Sequence, residues 1–373
     1  ERDLTDDILA KIPQESWRPP VFNWVFAVRM AACFVLAVAG GLLALHLTTA
    51  PDPAPIQVVE KAEAVDQALA WLSGSQEPDG SWHAKKWGGH KDYNIGLTGL
   101  AVLAFLSGDN KPLDGTHTNA IGNGIKYLIS QQSRDGRFGP PVSGSMYNHG
   151  IATVALLEAY GLIKDDRLKQ PADAALTYII DAQKSSGGWG YRKGTLSPPN
   201  TSISIWQIHA LLIAKAMGWN DAGEQAAKGL AWLEGVVDEK GMVGYEKAGD
   251  FPYGSQALTA MGASYLVVGA DPKSLPDGVR MAAQGEEIDF YRWYFLTYAL
   301  RAVEEIRSDP LEIRLHQALA EQQVKTGPDA GSWEPSDQWG AAGGRVYSTA
   351  LAVLSLETDT RVPRILNWLD NLR

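Results

Sequence analysis

Apolar residues recur along the chain at i, i+3, i+4 and i+7, the spacing of one helix face, and the same stripe returns at intervals of roughly fifty residues. One stripe reads Val65, Ala68, Leu69, Leu72; the next Ile121, Gly124, Ile125, Leu128; then Ala172, Ala175, Leu176, Ile179; then Ala226, Gly229, Leu230, Leu233. Each is followed by a turn and a run too apolar to face water, at residues 95–106, 151–162, 203–217 and 257–268, with a last such run at 346–356. The stripes predict amphipathic outer helices, and the runs predict inner helices buried all round.

Helical hairpins at a fixed period cannot bury their apolar faces singly and must stack on their neighbours. An open stack needs polar terminal units, yet the final unit, with Gly331, Trp333 and the run after them, is as apolar as the first. An all-α closed ring of about six hairpins is therefore expected. The stretch from Leu233 to Leu319 is shorter than two repeats, so the fifth outer helix, near 279–284, should be short and its aromatic turn missing.

The turns repeat as well. Gln76 precedes Trp82 by six residues, Gln132 precedes Phe138 by six and Gln183 precedes Trp189 by six, while Val237 and Val243 keep the spacing without the chemistry. A Gln at the end of an outer helix can hydrogen-bond exposed backbone groups, and the aromatic ring can cover the junction to the next hairpin.

The runs Leu72-x3-Gln76-x3-Gly80-x-Trp82, Tyr127-x3-Gln131-x4-Gly136-x-Phe138 and Ile179-x3-Gln183-x3-Gly187-x-Trp189 resemble the QW motif of squalene and hopene cyclases. Residues 60–373 look like bacterial proteins with prenyltransferase and squalene oxidase repeats. The stretches 288–295, 331–333 and 343–352 are similar to membrane-anchored members of that group in planctomycete-type bacteria. The resemblance implies an α/α toroid, with inner helices around a central cavity and outer helices wrapped about them.

Residues 30–47 contain no Asp, Glu, Lys or Arg, and the apolar stretch extends back towards residue 21 if Arg29 snorkels. A single transmembrane helix over 21–47 is expected, with a buried helix or a signal-peptide core as the other reading. Arg2, Lys11, Arg18 and Arg29 precede it, and 48–59 has no Lys or Arg, so the tail 1–20 should be cytoplasmic and the repeat domain periplasmic. Prolines 51, 53 and 55 predict a semi-rigid linker over 48–59.

Composition narrows the partners. With 43 Asp and Glu against 33 scattered Lys and Arg, nucleic-acid binding is not expected. The single cysteine, Cys33, excludes a disulfide within the chain and, with it, the Asp, Cys and His zinc site of protein prenyltransferases. Gly-x-Ser-x-Gly and a phosphate-binding loop are missing.

Class II terpene cyclases of the resembled fold protonate their substrate with Asp-x-Asp-Asp, which this chain lacks. Its nearest approach is Glu286, Glu287 and Asp289, ahead of an inner helix bearing Tyr291, Trp293 and Tyr294. These acids could form a buried proton donor beside cation-stabilising rings, or simply favour a helix N-terminus. His149, Asp92 and Asp250 occupy comparable rim positions in three repeats, where a shared site would need convergence that spacing does not show. No metal and no cofactor are expected. Tyr93, Tyr147, Tyr253, Tyr291, Trp293 and Tyr347 are candidates to line the mouth for an apolar, sugar-like or peptide ligand. The leading expectation is a membrane-anchored, non-catalytic binding module of the terpene cyclase type. The alternatives are a terpenoid cyclase using residues 286–289, and a carbohydrate-active toroid with paired rim carboxylates such as Asp92 and Asp250.

Overall fold

The computed structural model describes residues 54–108, 115–142, 144–194, 197–252, 254–269, 279, 282–283, 287–302 and 310–370. The tail and the expected membrane span lie outside these residues, and no helix among the described ones is long and apolar enough to cross a membrane. From Lys61 onward the chain packs as one compact unit; of a second, residues 12–60, only the last few are described. The expected linker is in part helical, because α1 already begins at Ala54. Pro55 falls in its first turn, where a missing N–H leaves no bond unmade.

The described residues hold twelve α-helices and no strand. The outer helices are α1 (Ala54–Gly74), α3 (Thr118–Ser130), α5 (Lys169–Ala182), α7 (Asn220–Glu234) and α10 (Pro310–Gln322); the inner helices are α2 (Asn94–Ser107), α4 (Ser145–Ile163), α6 (Thr201–Ala216), α8 (Gln256–Gly269), α9 (Phe290–Ala302) and α11 (Gly340–Leu356). A further helix, α12, spans Thr358–Asp370. Each inner helix packs on the next in the order α2, α4, α6, α8, α9, α11, and α11 packs back on α2. The ring is closed: an α/α toroid. Between α8 and α9 the described residues are Val279, Ala282, Ala283 and 287–289, and Val279 and Ala282 are buried.

The Gln and Trp residues are the clasps of this ring. Gln76 Nε2 donates to the Gly80 carbonyl and to Ala120 of the next outer helix, both at 2.9 Å. Gln132 bridges Gly136 and Pro171 in the same way, and Gln183 bridges Gly187 and Gln225. The indoles of Trp82 and Trp189 are fully buried and donate to Leu72 and Ile179 at 2.8 Å. A further clasp that the regular spacing does not reveal completes the circle: Gln323 donates to Gly331 and, at 2.7 Å, to Ala64 of α1. The glycine in each turn is required, since Gly136 has φ +87 and a Cβ there would stand 2.0 Å from the Ala174 carbonyl oxygen.

Helix α12 closes one end of the ring. It packs on α2, α6, α9 and α11 and sends Arg361, 1% exposed, to the fully buried carboxylate of Glu158 on α4. Arg364 donates to the Leu106 and Gly108 carbonyls at the end of α2. The other end, where the inner helices begin, stays accessible.

Candidate functional site: a tyrosine-rimmed well

At the open end a cavity of about 950 Å³, its mouth included, runs down the axis of the ring. Six of its lining residues are tyrosines, and each of the six repeats supplies one: Tyr93, Tyr147, Tyr191, Tyr245, Tyr291 and Tyr347. The repeat explains this arrangement, because every hairpin brings its turn and the start of its inner helix to the same mouth. Tyr191 and Tyr245 join through their hydroxyls at 2.7 Å, and the rings of Tyr291 and Tyr347 stack 6.3 Å apart. Burial raises the hydroxyl pKa of Tyr147, Tyr291 and Tyr347, so all three remain protonated donors at neutral pH. None of the lining side chains is charged.

Two carboxylates lie just behind this wall. Tyr347 donates to Asp337 Oδ2 at 2.9 Å, and the same oxygen accepts the Phe290 amide at 3.0 Å. Asp289, at the start of α9, accepts the Arg292 amide at 2.9 Å. Burial raises both carboxyl pKa values, and the charge of Asp289 raises that of Asp337 further. The pair sits where α9 and α11 begin, so each carboxylate caps a helix end as well as facing the other's charge.

The remaining candidates are placed elsewhere. Glu286 and Tyr253 fall outside the described residues, and Glu287 is exposed. Trp293 is buried in the core and does not line the cavity. His149 is no rim residue: fully buried, it accepts the Phe138 amide at Nδ1 and meets the Ala175 carbonyl at Nε2, each at 3.1 Å. Desolvation lowers its pKa to about 3. Asp92 lies 3.8 Å from His90, and the Asp250 carboxylate folds back towards the Glu246 amide of its own turn. His149, Asp92 and Asp250 thus make separate local contacts and do not converge. Among the described residues no three His, Cys, Asp or Glu come together as metal ligands.

Sequence reasoning missed Tyr191, Tyr245, Trp339 and Asp337. A signal existed for the first two, since each stands two residues after the aromatic-turn position of its repeat, Trp189 or Val243. Asp337 carries no such local mark.

No family model and no curated protein matches the sequence. Solved structures do. The α-1,6-mannanase of glycoside hydrolase family 76 from Salegentibacter sp. HEL1_6 superposes with TM-score 0.60 at 13% identity, covering 80% of this chain and 98% of its own. A family 76 α-mannanase of Bacteroides thetaiotaomicron gives 0.59 at 11%, covering 83% and 99%. A type II terpene cyclase from Scytonema gives 0.55 at 14%, covering 83% and 99%. These matches show the fold.

They also correct the functional expectation. Glycan-cleaving toroids stand above the terpene cyclase in this comparison, which overturns a non-catalytic module of the terpene cyclase type and fits the carbohydrate-active alternative better. The likeness reaches α/α toroids in general, and nothing in it singles out membrane-anchored repeat proteins.

Proposed function

We propose that the chain is a carbohydrate-active enzyme that hydrolyses an α-linked hexose glycoside, with the sugar held at the tyrosine mouth and Asp289 and Asp337 as its acid pair. One observation carries the reading: Asp337 stands one tyrosine hydroxyl away from a cavity rimmed by six tyrosines, feels the charge of Asp289, and both aspartates have raised pKa values. Glycoside hydrolysis needs a carboxylic acid to protonate the leaving oxygen and a carboxylate to serve the anomeric carbon. A coupled pair whose members repel each other retains a proton to higher pH than either would alone, which suits one acid and one base. Tyrosine rings offer flat faces to a sugar's C–H side, and their hydroxyls offer donors.

The fold neighbours support this reading. An inactive variant of the Salegentibacter mannanase, with two aspartates replaced by asparagine, was obtained with α-1,6-mannotriose bound. The test is release of reducing sugar from α-1,6-mannotriose and from α-linked glucose oligomers. Rates should drop at least about 100-fold in Asp289→Asn and in Asp337→Asn. Failure of the folded protein to release sugar from these oligomers and from alkyl or prenyl α-mannosides alike would end the proposal.

A second reading, cyclisation of an isoprenoid, is favoured by the uncharged cavity lining, with Asp289 as proton donor; the missing Asp-x-Asp-Asp counts against it. Anchoring through residues 21–47, with the toroid on the periplasmic side, belongs to the same proposal. The uncharged stretch at 30–47 supports it, and resistance of the full chain to salt extraction from membranes tests it.

A further inference from the structure

The well beneath the tyrosine rim is the wrong environment for a sugar. From Tyr93 to Leu100 the wall of α2 descends seven residues, about 10 Å along the helix axis. Along that depth the lining is Leu97, Leu100, Ile151, Leu258 and Met261. Apart from the ring polar groups of the tyrosines and Trp339, the polar side chains in the lining are Asn148 and Ser202, and both are already engaged. Asn148 accepts the Gly96 amide at 2.9 Å and donates to the Asp92 carbonyl at 2.6 Å. Ser202 donates to Asn200 Oδ1 at 2.9 Å. A hexose pushed to this depth would give up water at several hydroxyls and find no replacement partners, whereas a hydrocarbon would lose nothing. The well is also blind, because α12 seals the far end with the buried Arg361 and Glu158.

Resting on the hydrolase reading above, we infer that the substrate is an amphipathic α-glycoside: its hydrocarbon aglycone fills the well, and its sugar stays at the rim beside Asp289 and Asp337. The rim supplies protonated tyrosine hydroxyls for the polar end, with the two carboxyl groups just behind it, and the depth supplies apolar surface for the other. Hydrolysis then transfers the hexose to water; the bond broken is that between the anomeric carbon and the aglycone oxygen, and the aglycone leaves as an alcohol carrying the proton from the acid.

The test measures binding of methyl, hexyl, octyl and dodecyl α-mannosides below their micelle concentrations, by tryptophan fluorescence of the full chain, with sugar release followed in parallel. A prenyl α-mannoside forms a second arm, which separates a branched isoprenoid source of the aglycone from a straight alkyl one. Affinity should rise by roughly fourfold per added methylene, the equivalent of about 0.8 kcal/mol, and should level off once the chain reaches the floor. Leu100→Trp should move that plateau to a shorter chain, and Leu258→Phe serves the same purpose if the first variant does not fold. Affinity that is independent of chain length would overturn the inference, as would a rise that continues through dodecyl and ignores both substitutions. Cleavage of α-1,6-mannotriose together with a flat series would sink the well and spare the hydrolase. A rising series with no sugar released in any arm would sink the hydrolase, and with it the role assigned to the aglycone.

Discussion

Arg361 and Glu158, 203 residues apart in sequence, meet in a two-point ion pair that is inaccessible to water, with the Tyr294 hydroxyl at 2.9 Å from the same guanidinium. The pair locks the last helix across the end of a ring built by all the others. Removing one partner leaves an uncompensated buried charge, so Arg361→Met should cost about 3–5 kcal/mol in denaturant unfolding. Replacing both, as Arg361→Met with Glu158→Leu, should recover most of that loss, because the desolvation cost disappears along with the attraction. A double variant no more stable than Arg361→Met alone would show that the pair's worth lies in packing.

Ring closure can be tested at a single side chain. Gln323 ties the sixth repeat to the first through two carbonyls, those of Gly331 and Ala64. Gln323→Leu fills the same volume but leaves both acceptors without their donor, at a cost of about 2–4 kcal/mol. Gly331→Ala should be similarly damaging, since φ is +91 and the new methyl carbon would stand 2.4 Å from the Gln67 carbonyl oxygen. Thermal unfolding of both variants checks this; a loss below about 1 kcal/mol in each would mean that the ring does not depend on the closing clasp.

What sequence reading reached, and what it did not, follows from range. The clasps of Gln76, Gln132 and Gln183 were legible because Gln and aromatic ring lie six residues apart in one turn, and the buried runs identified the inner helices through composition alone. Gln323 and Trp333 were not recognised as the same device because four extra residues separate them. Helix α12 reads as an ordinary charged amphipathic segment, and only the fold shows Arg361 inside the ring. Asp337 acquires its role from Asp289 and Tyr347, 48 and 10 residues away, and no local pattern announces such a meeting. His149 erred in the opposite direction: its position at the start of an inner helix suggested the mouth, but its ring turns outward to bridge Phe138 and Ala175.

That bridge makes His149 a determinant of acid stability. Its folded pKa, about 3, lies below the ordinary 6.5, so the unfolded chain binds the proton first and stability falls as pH drops below 6.5. Between pH 6.5 and pH 5 the expected loss is about 1.5 kcal/mol, because the unfolded imidazole is half protonated at pH 6.5 and the slope reaches about 1.36 kcal/mol per unit only below it. His316, lowered to about 4 by burial, adds to the loss in the same direction. Urea titrations between pH 5 and 7 should show a shallower slope in His149→Gln than in the parent, by a difference that approaches one proton at pH 5; identical slopes would mean that the ring is not held neutral.

The aspartate pair should act with the opposite sign. Asp289 and Asp337 have folded pKa values above the ordinary carboxylate value, so the folded state takes up protons first, and the stability they contribute is greatest in acid and is lost as pH rises through their folded values. At neutral pH the two charges oppose folding, and Asp337→Asn relieves the repulsion while keeping one oxygen for the Phe290 amide; that relief offsets the acceptor lost to the Trp339 amide, so the variant should melt at the same temperature as the parent or higher. Catalysis should respond in the reverse way, because hydrolysis requires one member protonated and the other ionised, and the parent's kcat/KM should trace a bell in weak acid. A variant gaining stability at pH 7 while losing at least about 100-fold in kcat/KM would carry the mark of a site that sacrifices stability for chemistry. A variant that loses stability at pH 7 and retains its rate would reduce both aspartates to helix caps.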